Sequence, residues 1–260
     1  MKILMLTEEQ DIFYHFLLEA LNGLNFPLAH AQHPLSQEEM HKFDPDIIIH
    51  NIKDVAKIEY KNVITIAINE SDADNCFSYK NPEAKNFIRP FVKTTKDDLN
   101  NKKYKSDVVY VGNPALLPDC TVEIQNDPNI NFKLLNNSPV PVKDYCGSCT
   151  FGDYKKFFKM SKCSLLNAED SNPDIYSFKL LDIIYSEGNP IIYRNEDQFL
   201  NDIKEAVNGK CFRDNFMSQE EVKKHHTNYS RMSEIFSKIG LSKMSKMIAD
   251  NKGIWYENNV

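Results

Sequence analysis

The chain has 260 residues, 42% of them hydrophobic and 26% charged, with a formal net charge of -6. That length accommodates one large domain or two small ones, and the composition is that of an ordinary soluble globular chain with a real core. The acidic balance excludes a general nucleic-acid-coating role, which needs a basic surface, although it leaves room for a local basic groove. Six cysteines, at positions 76, 120, 146, 149, 163 and 211, are too scattered for a disulfide framework and read as reduced thiols. The apolar opening is too short for a signal peptide and meets Glu8-Glu9 at once, and no later run approaches the ~20 apolar residues of a spanning helix. A cytoplasmic protein without a membrane span is expected.

Residues 2–6 predict a strand and 12–24 a helix, with Ile12, Phe13, Phe16, Leu17, Ala20 and Leu21 at helical spacing. A weak strand at 28–31 and a short helix at 36–41 capped by Ser36 follow. Residues 46–50 and 63–68 are buried strands; 87–92 is a fifth, which Pro90 places at an edge or an end. Strands alternating with helices imply a parallel sheet, and ligands in such sheets bind beyond the carboxyl ends of the strands. Those ends carry Glu8, Glu9, His50 and Glu70, any one of which could act as a base toward a hydroxyl. For His50 the plainer reading, a hydrogen-bonded histidine at a strand end, is slightly favoured. No glycine-rich loop follows the first strand, so this half is a poor nucleotide site.

Residues 93–105 are polar without an apolar period and read as a linker. A second set of strands then opens at 107–111, where Gly112-Asn113 lets the backbone come close to a ligand or simply makes a turn. Another strand is predicted at 131–135. The amphipathic pattern of 153–161 turns Tyr154, Phe157 and Phe158 inward and Lys155, Lys156 and Lys159 outward. Residues 163–166 read as a buried strand, and Asn172-Pro173-Asp174 signals a helix start. The helix, 175–187, is apolar on most sides, ends at Gly188, and leads into a strand from Pro190. Lys179, Asp182 and Ser186 form one polar stripe on it. The stripe suits a phosphate at the helix start, with Lys179 adding charge and Asp182 accepting from ribose hydroxyls; an ordinary spaced ion pair is an equal alternative. Helices at 196–207 and 218–239 complete the chain, with a tail at 241–260 that packs back on the first domain.

The segment Tyr176-Ser177-Phe178-Lys179-Leu180-Leu181-Asp182, with Gly188-Asn189-Pro190-Ile191-Ile192 after it, resembles the donor-site helix of GT-B glycosyltransferases, closest to the group 1-like proteins of spore-maturation type. Residues 107–113 resemble the strand and glycine turn that open the donor domain in that group, and His226-Thr227 with Arg231 resembles its His-Thr-x-x-x-Arg stretch. In patches the resemblance spans about half the chain. Asp182 stands where Glu is commoner, and one extra residue lies between it and Gly188. The resemblance implies two Rossmann-like doubly wound α/β domains facing a cleft, 1–105 on the acceptor side and 106–240 on the donor side. It implies a metal-independent glycosyl transfer from a nucleotide-sugar to an acceptor hydroxyl, with no cofactor. The acceptor could be a polysaccharide, a protein, a small molecule or a modified DNA base. The donor set would be Gly112, Asn113, Tyr145, Gly147, Asn167, Ser177, Lys179 and Asp182, with residues 145–152 as the loop under the donor base.

Two other patterns compete. Cys146-Gly147-Ser148-Cys149 has thioredoxin-like spacing but follows proline-rich, irregular sequence, and no second ligand pair completes a zinc site. His225 and His226 on a helix point about 100 degrees apart and do not easily share a metal. A nucleotide-sugar-binding protein without catalysis, and a redox protein built on Cys146 and Cys149, are therefore the alternatives.

Overall fold

The structure, a computed structural model, describes the chain except for residues 9–10, 23, 25, 33–34, 53–62, 69–74, 80, 82, 95–98, 137–152, 168–176 and 258–260. It divides into two compact units: unit 1 is Met1–Arg89 with Thr227–Val260, and unit 2 is Pro90–His226.

Unit 1 is built on a parallel sheet of order β2-β1-β3-β4-β5, with β1 at Ile3–Thr7, β2 at Leu28–Gln32, β3 at Ile47–His50, β4 at Ile64–Ile68 and β5 at Cys76–Phe77. Every residue of β1 and β3 is buried, as their uninterrupted apolar sequences require of strands covered on both faces. Helix α1, Ile12–Glu19, follows β1. Its Tyr14 hydroxyl donates to the Leu6 and Ile49 carbonyls at 3.0 and 2.9 Å, and burial pushes this phenol far above its ordinary pKa. Helix α2, Gln37–Phe43, starts in a capping box. The Ser36 side chain accepts from the Glu39 N–H, and the Glu39 carboxylate accepts from the Ser36 N–H.

Among the described residues, the expected strand at 87–92 reduces to isolated bridge residues at Phe87, paired with Ser78, and at Val92. Beyond Phe87, Pro90 has no N–H to extend a ladder, and the Val92 N–H donates instead to the His226 carbonyl in unit 2.

Unit 2 repeats the plan with parallel order β7-β6-β8-β9: β6 at Ser106–Val111, β7 at Phe132–Leu135, β8 at Ser161–Leu166 and β9 at Pro190–Ile192. One face packs on α3 (Thr121–Asn126) and α6 (Glu196–Val207) through Val108, Tyr110, Leu165, Phe199 and Ile203. The other packs on α4 (Asp153–Met160), α5 (Phe178–Tyr185) and α7 (Gln219–His225) through Val109, Phe158, Leu166, Leu181 and Val222. Helices on both faces of a parallel sheet define a doubly wound unit.

The division falls elsewhere than the sequence suggests. Much of the supposed linker belongs to unit 2: Tyr104 is buried, meets Phe157 edge-to-face at 4.8 Å and donates to Asp153 at 3.0 Å. The helix expected over 218–239 is two helices. Thr227 takes an extended backbone and caps α8, Asn228–Lys238, by accepting from the Ser230 N–H, a competition with helix continuation that Thr side chains regularly win. Helix α8 joins unit 1, where Asn228 donates to the Phe16 carbonyl at 2.8 Å and Arg231 to that of Arg89 at 3.0 Å. The final helix α9, Ser242–Glu257, is held there by Asn251 donating to the Asn22 carbonyl at 3.1 Å.

At the end of α5, Glu187 takes the left-handed turn with φ of 59°, and Gly188 donates its N–H to the Ile183 carbonyl. A Cβ on Gly188 would stand 2.9 Å from both the Ile183 Cγ2 and the Phe158 carbonyl oxygen. One of those contacts is backbone and cannot yield. Gly188→Ala is therefore expected to lower stability by about 1–3 kcal/mol, measured as a shifted urea midpoint at unchanged slope.

Candidate functional site

In the order β7-β6-β8-β9 the chain leaves β6 toward one edge and later returns on its other side to form β8. The crevice beyond the carboxyl ends of β6 and β8 is thus the topological switch point, where such sheets bind ligands. Gly112, just after β6, has φ of +148°, and its N–H donates to the Leu135 carbonyl at 2.9 Å. A Cβ there would lie 3.1 Å from the Tyr110 hydroxyl oxygen and 3.4 Å from the Lys179 Nζ. Glycine is what this position tolerates, because its φ is one that L side chains rarely adopt and a Cβ would crowd Tyr110; the Lys179 amine lies at ordinary contact distance beside it. The same amine is 5.4 Å from the Tyr110 ring centroid, and the Tyr110 hydroxyl donates to the Asn113 carbonyl at 3.1 Å. Asn113 in turn caps a short 3-10 turn, its side chain accepting from the Ala115 N–H.

Across the switch point, Asn167 follows β8 and is buried. Ser177 caps α5 by accepting from the Leu180 N–H at 3.1 Å, so Lys179 sits in the first turn, at the positive end of the helix dipole. The helix begins at Phe178, three residues later than expected, and the proposed start at Asn172–Asp174 lies outside the described residues. Gly112, Asn113 and Lys179 are thus brought together, with Tyr110 joining them; its place inside an apolar strand gave no hint of this role.

Asp182 is used differently from expectation. Its Oδ2 accepts from the Tyr154 hydroxyl at 2.6 Å, and its Oδ1 is 3.2 Å from the Lys155 Nζ, in an almost fully buried pair. Burial holds the Asp182 carboxyl above the usual range, while Lys155 and the Tyr154 hydroxyl pull it back. Lys155 also donates to the Lys93 carbonyl and stands 4.9 Å over the Tyr185 ring. The carboxylate is therefore engaged by α4, and the ribose-binding role expected of it does not follow from this geometry. Lys155 is buried, not outward as predicted; its position three residues before the buried Phe158, on the same helix face, was the available signal. Ser186, the last member of the stripe, returns its hydroxyl to the Asp182 carbonyl at 2.7 Å.

In unit 1 the order β2-β1-β3-β4-β5 puts a second switch point between β1 and β3. Glu8 lies there, exposed, with its N–H donating to the Asn51 side chain at 3.0 Å. His50 is fully buried at the end of β3, and its Nδ1 accepts from the Ile52 N–H at 3.3 Å. Glu9, Glu70, Tyr145, Gly147 and the Cys146–Cys149 pair lie outside the described residues. His226 ends unit 2, and the nearby Arg231 is buried in unit 1 and 3.5 Å from Glu234.

Cys76, Cys120, Cys163 and Cys211 are free thiols, and burial pushes Cys163 up to about 12. Among the described residues, no group of three or more His, Cys, Asp or Glu side chains is placed to hold a metal ion, and no helix is long and apolar enough to cross a membrane.

The chain is thus an α/β protein of two Rossmann-like doubly wound units, each with a polar switch point. Among solved structures it is similar to a wall teichoic acid polymerase TagF, H444N variant, at 8% identity and a TM-score of 0.44, covering 98% of this chain and 90% of that one. It is also similar to an α1,3-fucosyltransferase, at 11% identity and a TM-score of 0.37, covering 85% of this chain and 88% of that one. No family model matches the sequence, and no curated protein matches it.

The buried pair makes a direct prediction. Lys155→Met or Asp182→Leu alone strands a charge and is expected to cost about 3–5 kcal/mol, whereas the two combined cost far less. Urea unfolding of the four proteins as a double-mutant cycle measures the coupling.

Proposed function

We propose that the chain is a glycosyltransferase that moves a sugar from a nucleotide-sugar to an acceptor hydroxyl without a metal. The observation that carries this reading is the Lys179 amine against the bare Gly112 backbone, in the first turn of α5 at the switch point of unit 2. An amine, a helix N-terminus and an approachable backbone answer a diphosphate, whose negative charge grows as the glycosidic bond breaks. In the transfer, the acceptor hydroxyl gives its proton to a base and its oxygen attacks the anomeric carbon. The nucleoside diphosphate then leaves with the bonding electrons. Glu8 and His50, at the carboxyl ends of β1 and β3, stand as base candidates with Glu9 and Glu70. Gly112, Asn113, Tyr145, Gly147, Asn167 and Ser177 make up the remainder of the donor site in this reading. The group 1-like family of spore-maturation type and a cytoplasmic location belong to the same proposal.

Burial of His50 favours a second reading, in which the chain binds a nucleotide-sugar without turning it over. A thermal-shift series with UDP, GDP, ADP, CMP and TDP tests the site. One of them is expected to raise the melting temperature in proportion to the logarithm of its concentration above Kd. Lys179→Ala should weaken that ligand by roughly 10–100-fold, the loss of one charge-assisted contact. Stabilisation unchanged in the variant overturns the placement; stabilisation without release of sugar from any donor supports the non-catalytic reading.

A further inference from the structure

Helix α1 brings His15 to His30 of β2 in unit 1. The two imidazole centroids are 5.5 Å apart, with their planes at 88°. His30 is in register with Met5 of β1, and its Nε2 lies 2.8 Å from the hydroxyl of Thr7, two residues further along that strand. His15 is half-buried, and the ring of Tyr14 lies beside it at 5.9 Å.

Two imidazoles bound to one zinc at about 2.0–2.1 Å in a tetrahedral shell have centroids roughly 5 Å apart. The rings already stand close to that separation, so a shared ion asks His15 to turn about its last torsion while His30 keeps its contact with Thr7. The Thr7 hydroxyl supplies what an outer partner supplies in metal sites. When Nε2–H of His30 donates to it, the lone pair is fixed on Nδ1 and the ring is held in place. We propose that His15 and His30 form a two-imidazole site for a zinc-class divalent ion, with Thr7 orienting His30 and water completing the shell.

Imidazole ligands with no carboxylate among them favour zinc, nickel or copper over magnesium, which prefers oxygen donors. Two protein ligands make the site open and exchangeable, not a structural clamp. It lies in unit 1 and does not depend on the transferase reading.

The test is a titration of the metal-free full chain with zinc in competition with a chromophoric chelator, and in parallel with magnesium. The full chain is expected to bind zinc with micromolar affinity and to leave magnesium unbound. His15→Gln and His30→Gln should each lose one bound zinc per chain, Thr7→Val should weaken that zinc by roughly tenfold, and His225→Gln should change nothing. Melting curves of the apo-variants matching the parent establish that they fold. Equal zinc binding by the parent and both histidine variants, or none by the parent at about 100 µM zinc, overturns the site and leaves a stacked ring pair only.

Discussion

A carboxylate shut away from water has to find its counter-charge inside the protein, and in unit 2 that requirement ties two helices together. Asp182 on α5 takes a hydroxyl and an ammonium from consecutive residues of α4, and the same ammonium reaches the backbone at Lys93. Three pieces of chain are thereby fixed to one point. Lys179 lies one turn before Asp182, so whatever sets the rotation of α5 about its axis also sets where the Lys179 amine falls. The ion pair is thus less a source of net stability than a constraint on orientation, since buried pairs commonly do little better than an apolar replacement.

The two switch points share a topology and differ in chemistry. In unit 2 the crevice offers an amine, a helix start and a glycine backbone, all suited to an anion. In unit 1 the corresponding strand ends carry Glu8 and His50, groups that exchange protons, and Tyr14 ties the two strands together just beneath them through the Leu6 and Ile49 carbonyls.

Much of this was legible in the sequence. Short, largely apolar runs such as 47–50 and 163–166 read as doubly covered strands by their length and bounding turn residues, and Ser36 and Gly188 mark helix ends by plain steric and hydrogen-bonding rules. Lys179 and Gly112 were identifiable as candidates, but their contact was not, because it depends on the crossover that places α5 beside β6. Lys155 was misplaced because a lysine on an amphipathic helix is ordinarily solvated; only the presence of Asp182 opposite makes its burial tolerable. The single helix over 218–239 rests on signals at its two ends, Ser218 with Glu220-Glu221 and Lys238-Ile239-Gly240; residues 223–228, which carry no apolar side chain, are the signal for the break at Thr227. Phe87–Val92 looks like a strand by composition, yet strand formation needs a continuous neighbour, and among the described residues the segment makes isolated bridges at Phe87 and Val92.

Unit 1 is assembled from both ends of the chain, whereas unit 2 is continuous. On the ribosome, therefore, the order of completion is inverted relative to the usual N-terminal-first rule. All of unit 2 is synthesised before α8 emerges to pack on α1. Closure of unit 1 therefore waits on residues that follow the whole of unit 2 in the chain, and the face of α1 that α8 covers stays bare during synthesis until they are made.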